Sequence, residues 1–247
     1  MSDDLTPVIT IDGPAGSGKG TIAKQIAASL NYHYLDSGAL YRILGLLSQQ
    51  QKIEATDVQG LVVLCEQMEV RFGFDAQNII KPADGSDNTG SDAAHELQEH
   101  VPVFLNEIEI SSDLRTEECA AQASQLAALP EVRAALLQKQ RSFQQAPGLV
   151  AEGRDMGTVV FPAAAHKFFL TASAEARASR RQKQLKKQGI SASLGPLLQD
   201  IETRDSRDQD RKVSPLRPAT DAVLVDSTNM SIEQVVNQIT DLVHGGQ

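Results

Sequence analysis

Short apolar runs alternate with stretches of helical spacing along most of this chain, and the alternation predicts its elements. Val8-Ile9-Thr10-Ile11 reads as a buried strand. A glycine-rich segment follows, and then Ile22 to Leu30, whose apolar residues recur at helical spacing. Tyr32-His33-Tyr34-Leu35 predicts a second strand, and a helix follows from near Ala39 to about Gln51, with Asp36 or Ser37 able to cap it. Asp57 to Gln67 reads as another helix, and Glu69 to Phe74 alternates like a strand. From Asp75 to about His100 the composition turns polar, centred on Asp84 to Asp92, and predicts a flexible loop without a core of its own. Val103-Phe104-Leu105 resumes a strand. Asp113 to Ala128 and Pro130 to Gln145 read as two helices, the second opened by a proline in its first turn.

Leu149-Val150-Ala151, His166 to Leu170 and Ala222 to Asp226 predict the third, fourth and fifth strands of the main sheet. Between the last two lie a helix over Ala174 to Gly189 and another over Pro196 to Arg204. The charged stretch Asp205 to Lys212 extends the latter, and Pro215 and Pro218 end it. Ser231-Ile232-Glu233-Gln234 reads as a capping box for the last helix. Strand and helix alternate without an internal repeat, which implies an α/β fold with a five-stranded, mostly parallel, doubly wound sheet. Residues 69–145 then form an insertion between the second and third strands.

The glycine-rich segment carries the first chemistry. Gly13-Pro14-Ala15-Gly16-Ser17-Gly18-Lys19-Gly20-Thr21 lies between a strand and a helix, the context in which Gly-x-x-x-x-Gly-Lys binds phosphate. Glycines let successive N–H groups turn toward an anion, the helix aims its positive end at the same point, and Lys19 adds a full charge. An ordinary glycine-rich turn has no need of all three. The loop is expected to hold the β- and γ-phosphates of a nucleoside triphosphate. Gly20 stands where a Ser or Thr usually follows the lysine, and the hydroxyl comes at Thr21, which leaves the direct ligands of Mg²⁺ open.

Charge adds a second feature. The formal net charge of the 247-residue chain is −9, which argues against general nucleic-acid binding. Yet Arg177 to Arg217 holds 11 Lys and Arg against five Asp and Glu, while the rest of the chain holds 12 against 27. A local basic segment on an acidic protein fits a small, highly charged anionic ligand; a solvated helix face is the alternative. Arg177, Arg180 and Arg181 are spaced to share a helix face, so the segment reads as a lid of arginines over transferring phosphates. Arg42, in the first turns after the second strand, becomes a second candidate phosphate ligand. Glu152-Gly153-Arg154-Asp155-Met156-Gly157 ends the third strand, where open α/β sheets place their ligands; a charged loop without a role is the alternative.

The two cysteines, Cys65 and Cys119, lack a paired metal-ligand spacing, so neither a disulfide framework nor a zinc site is expected. Met1-Ser2-Asp3-Asp4 lacks a signal-peptide pattern and no apolar run approaches the roughly 20 residues that span a bilayer. A single cytoplasmic domain without a membrane partner is the expectation.

Taken together these residues resemble the bacterial cytidylate kinases, a branch of the nucleoside monophosphate kinases. The resemblance runs through Ile9 to Pro14 with Gly18-Lys19-Gly20-Thr21, Leu35 to Arg42, Gly153 to Pro162 and Arg204 to Asp208. The long Gly-Arg-Asp motif is the specific one; the phosphate loop is shared with many NTPases. Two departures stand out: Glu152 where the family pattern has Asp, and a polar stretch over residues 76–100 that is longer than usual.

The resemblance implies a P-loop kinase domain over 1–247, with a monophosphate-binding lobe at 69–145 and a helical lid at 174–218. It implies transfer of the γ-phosphoryl group of ATP to CMP, and to dCMP, with Mg²⁺ bridging the donor phosphates, in a monomer. Lys19 and the loop amides would hold ATP. Arg42 and Arg154 would clamp the acceptor phosphate, near Ser37 and Tyr41, and Arg177, Arg181 and Arg211 would reach the transferring group. Ser124, Arg133 and Asp155 would read cytosine, and Arg204 and Asp208 the ribose. Such a transfer asks for alignment and charge neutralisation, which forked guanidinium groups supply. Two other readings compete. Another small-acceptor kinase would need different groups at Ser124, Arg133 and Asp155, and a nucleotide switch would need a guanine-reading Asn-Lys-x-Asp, which the sequence lacks.

Overall fold

The computed structural model of the chain describes residues 6–73, 101–187 and 189–245. Its strands are β1 (Val8–Asp12), β2 (His33–Asp36), β3 (Val70–Phe72), β4 (Val103–Leu105), β5 (Ile108–Glu109), β6 (Leu149–Gly153), β7 (His166–Thr171) and β8 (Val223–Asp226). Five of them form one parallel sheet in the order β2-β6-β1-β7-β8, the α/β arrangement the alternation predicts. The central strand, β1, is buried along its whole length, as strands covered on both faces must be. The expected loop over 75–100, with Phe74 before it, lies outside the described residues.

Contacts divide the chain into two compact units, one of Ala27–Ala151 with the chain start through Pro7, the other of Val8–Ile26 with Glu152–Gln247. In the first, β3, β4 and β5 form a separate antiparallel sheet, with Val70 opposite Leu105 and Phe72 opposite Val103. The helix after β2 spans Ser37–Gln51, and the choice between two caps resolves in favour of Asp36, whose Oδ1 accepts the Ala39 N–H at 3.0 Å. Asp57 likewise caps the helix Val58–Gln67. The single helix expected over Asp113 to Ala128 is broken. A 3₁₀ turn, Asp113–Arg115, is followed by a helix over Glu117–Leu126, because Thr116 leaves helical geometry to cap the second piece through the Cys119 N–H. The proline-opened helix runs Pro130–Arg141. Leu40, Ile43, Leu44, Leu61, Leu126 and Leu136 are wholly buried in this unit, each contributing about 1.5–3 kcal/mol of hydrophobic stabilisation.

In the second unit β1 and β7 pair in parallel, Asp12 opposite Phe169, and β8 continues the sheet. The helix Lys19–Leu30 starts directly after the glycine-rich loop. β6 is longer than the apolar run predicts, taking in Glu152 and Gly153. The chain then winds into one π-helical turn, Met156–Val160, that the apolar pattern did not mark. The helices of the basic segment run Ala174–Lys187 and Leu194–Gln209. The last helical bond of the second runs from the Asp210 N–H to Ser206 O, so the helix ends well ahead of Pro215 and the prolines do not end it. The final helix, Ile232–His244, carries the expected capping box between Ser231 and Gln234.

Candidate active site

The glycine-rich loop of the second unit is fixed by its backbone and from outside. Gly13, Gly16 and Gly18 have φ of +149°, +74° and +94°, values that side chains beyond glycine rarely adopt. A Cβ on Gly13 would lie 2.1 Å from the Leu170 carbonyl oxygen, so the loop leaves β1 against the backbone of β7. Lys19 is buried at the first position of its helix and donates to Pro14 O at 2.9 Å. Arg177 donates to Ala15 O at 3.1 Å and Arg180 to Ser17 O at 3.4 Å. Three cations thus hold three loop carbonyls, and the loop opens onto a helix N-terminus, the geometry that binds phosphate. Ser17 Oγ is buried with no hydrogen-bond partner. A Cβ on Gly20 would lie 2.8 Å from Glu152 Oε1, which brings the unusual acid of β6 over the residue that precedes Thr21.

Beside this loop stands a charged cluster built on one carboxylate. Asp208 is 1% exposed; its Oδ2 accepts Arg154 Nε–H at 2.8 Å, and its Oδ1 accepts from Arg211. Burial works against the charge on Asp208, but the guanidinium groups of Arg154 and Arg211, with a contribution from Arg204, outweigh it and hold the carboxyl below its ordinary range. Arg154 also donates to Gly153 O at 3.3 Å. Arg177 makes a fork with Asp205, at 3.0 and 2.5 Å. The arginines expected to share one helix face therefore divide: Arg177 is buried among loop carbonyls and Asp205, Arg180 turns to Ser227, and Arg181 donates to Gln184 of its own helix.

Asp12 completes this unit's site. At the end of β1 it is 4% exposed, with Oδ1 accepting the Met156 N–H at 2.9 Å and Oδ2 the Gly157 N–H at 2.8 Å. Burial raises its carboxyl from 3.8 to about 7 against the pull of those two N–H groups. Asp155, the residue before the π-helical turn, is itself buried. Reasoning from sequence passed over Asp12 and Asp205 as functional groups. The signal for Asp12 was present, an acid closing a wholly apolar strand at the carboxyl edge of a parallel sheet.

The first unit holds the remaining candidates. Ser37 and Tyr41 are buried in the first turns of the Ser37–Gln51 helix, and Cys119 Sγ donates to the carbonyl of Arg42 at 3.5 Å. Arg133 is 8% exposed, donates through Nη1 to Ala127 O at 3.0 Å, and has its guanidinium 5.8 Å from the Tyr41 ring centroid. Ser124 is buried one turn before Ala127. Tyr41 and Arg133, far apart in sequence, are thus brought together.

Known proteins resemble the chain along its length. A family model described as "Cytidylate kinase" matches residues 9–245. A curated relative of that name from Colwellia psychrerythraea is 47% identical over 98% of both chains. Another, from Nitrosococcus oceani, is 47% identical over 99% of both.

Proposed function

The chain belongs to the cytidylate kinase family, and from that premise we propose the part each residue plays in its reaction. It is an ATP-dependent kinase that moves the γ-phosphoryl group of ATP to CMP, giving ADP and CDP. The observation that carries the reading is the loop with its glycine conformations, the buried Lys19 at a helix start, and Arg177 and Arg180 bound to its carbonyls. In this proposal Gly13 to Thr21 hold the ATP phosphates, and Lys19 follows the transferring group. Arg42 and Arg154 take the acceptor phosphate, and Arg177, Arg181 and Arg211 neutralise charge on the phosphoryl group in flight. Transfer of this kind needs no nucleophile from the protein, only alignment and preorganised positive charge. Ser124, Arg133 and Asp155 read the base, Arg204 and Asp208 the sugar, and Ser37 and Tyr41 shape the acceptor's surroundings.

The oxygen donors fit Mg²⁺. Glu152 lies over Gly20, the residue before Thr21, and a carboxylate with a hydroxyl is a hard donor pair that leaves the remaining ligands to phosphate and water. Glu152 and Thr21 would hold the ion, which when bound neutralises charge on the donor phosphates. Residues 69–145 serve as the monophosphate-binding lobe and 174–218 as the lid of one kinase domain. We place the protein in the cytoplasm as a monomer acting on nucleotides, in keeping with two free cysteines; among the described residues no helix is long and apolar enough to cross a membrane.

The test is ADP release measured with CMP, dCMP, UMP, AMP and shikimate as acceptors. CMP and dCMP are expected to support turnover, UMP far less, and AMP and shikimate not at all. Preference for AMP or shikimate would replace the acceptor assignment.

A further inference from the structure

Two N–H groups open the π-helical turn Met156–Val160, and neither is capped locally, because the residue in the cap position, Asp155, makes no side-chain capping bond. Asp12 does that work from another strand, one oxygen to each N–H. The same turn is closed from behind. A Cβ on Gly157 would lie 2.9 Å from Thr10 Oγ1 and 3.3 Å from the stem of Lys167, so the backbone at Gly157 rests on β1 and β7 with no slack. Arg154 and Asp155 immediately precede this turn, and their path is set where it starts.

We infer that Asp12 is a positioning residue for the acceptor: by capping the turn through Met156 and Gly157 it sets the backbone from which Arg154 and Asp155 meet CMP. The inference rests on the roles proposed above for those two residues. Asp12 also feels the charge of Lys19, but the shape of the neighbouring phosphate loop has supports of its own. Gly13 is held by its approach to Leu170, and the loop carbonyls by Lys19, Arg177 and Arg180. Loss of the Asp12 carboxylate is therefore expected to fall on the acceptor side. Leaving buried N–H groups without their acceptor sets the scale at roughly tenfold or more.

The test is Asp12→Asn, whose amide keeps the shape but turns a donor toward one of the two N–H groups. KM for CMP is expected to rise roughly tenfold, with KM for ATP changed less than about twofold. Amide hydrogen exchange at Met156 and Gly157 is expected to quicken in the free protein, while exchange in the helix Lys19–Leu30 stays as it was. Gly157→Ala, which pushes the same N–H away with Asp12 in place, is a second route to the same split and serves if Asp12→Asn does not fold. Equal changes in both KM values, or unchanged exchange at Met156 and Gly157, overturns the inference. Failure of the unmodified protein to phosphorylate CMP would instead strike the proposed function, and the exchange result would still report on the turn.

Discussion

Arg154 and Arg211 share one buried partner: Arg154 Nε–H meets Asp208 Oδ2 at 2.8 Å, and Arg211 meets the other oxygen of the same carboxylate. Two guanidinium groups proposed for phosphate are thus held on one internal anion.

Breaking that arrangement has a stability signature with a defined sign. Burial opposes the charge of Asp208, and Arg154 and Arg211 outweigh it, so its folded pKa lies below the unfolded value of 3.8. The stabilisation is fully present above the unfolded pKa and is lost as pH falls through the folded one. Asp208→Asn is expected to cost about 3 kcal/mol at pH 7, the scale for removing one partner of a buried pair, and to lose less than the unmodified protein on further acidification. Urea unfolding at pH 7 and at about pH 3 measures both. Equal unfolding midpoints at pH 7 would show that the cluster contributes nothing.

Asp12 works in the opposite sense. Burial raises its folded pKa from 3.8 to about 7. The folded state then holds a proton that the unfolded state has released, so stability from this group is full below the unfolded pKa and lost as pH rises toward about 7. Chemical denaturation between pH 4 and 8 is expected to show that decline in the unmodified protein and a flatter profile in Asp12→Asn. Parallel profiles would mean that Asp12 stays charged throughout.

What the sequence made legible follows from how local each signal is. The glycine turn between β1 and its helix, the Asp36 cap and the Ser231–Gln234 capping box are each written within a few neighbouring residues, and each is found where expected. The π-helical turn is not, because its cap is Asp12, 144 positions away from Met156. The break at Thr116 was masked by helix formers on both sides, and only the Cys119 N–H bond explains why the hydroxyl prevailed. The basic segment read as one arginine face, yet Asp205 and the Ala15 carbonyl draw Arg177 inward. Partners distant in sequence leave no periodicity to read.

Lys19 tests the donor side. It is buried and held to the Pro14 carbonyl, so its charge is preorganised rather than recruited from solvent. Lys19→Ala is expected to keep the fold, by circular dichroism and thermal melting, while kcat falls roughly 10²-fold or more, the effect of losing one preorganised charge. A folded variant with near-normal kcat would remove the loop lysine from the transfer step.

Base choice gives the sharpest test of the acceptor assignment. Cytosine offers an amino donor at C4 beside acceptors at N3 and O2, whereas uracil offers a carbonyl at C4 beside an N3–H donor. The carboxylate proposed at Asp155 and the donors proposed from Arg133 and Ser124 would suit the first pattern and oppose the second. A buried polar group left unpaired costs about 1–3 kcal/mol, so two mispairings give a discrimination of roughly 10²–10⁴ in kcat/KM. Arg133→Met keeps much of the side-chain length and removes every donor. It also removes the bond to Ala127 O and the guanidinium beside Tyr41, so some stability is lost with it. The ratio of kcat/KM for CMP to that for UMP is taken within one variant and is insensitive to the fraction folded. That ratio is expected to drop at least tenfold, while KM for ATP stays close to its original value. An unchanged ratio in Arg133→Met, or equal use of CMP and UMP by the unmodified protein, would take Arg133 out of the base pocket and leave the kinase activity standing.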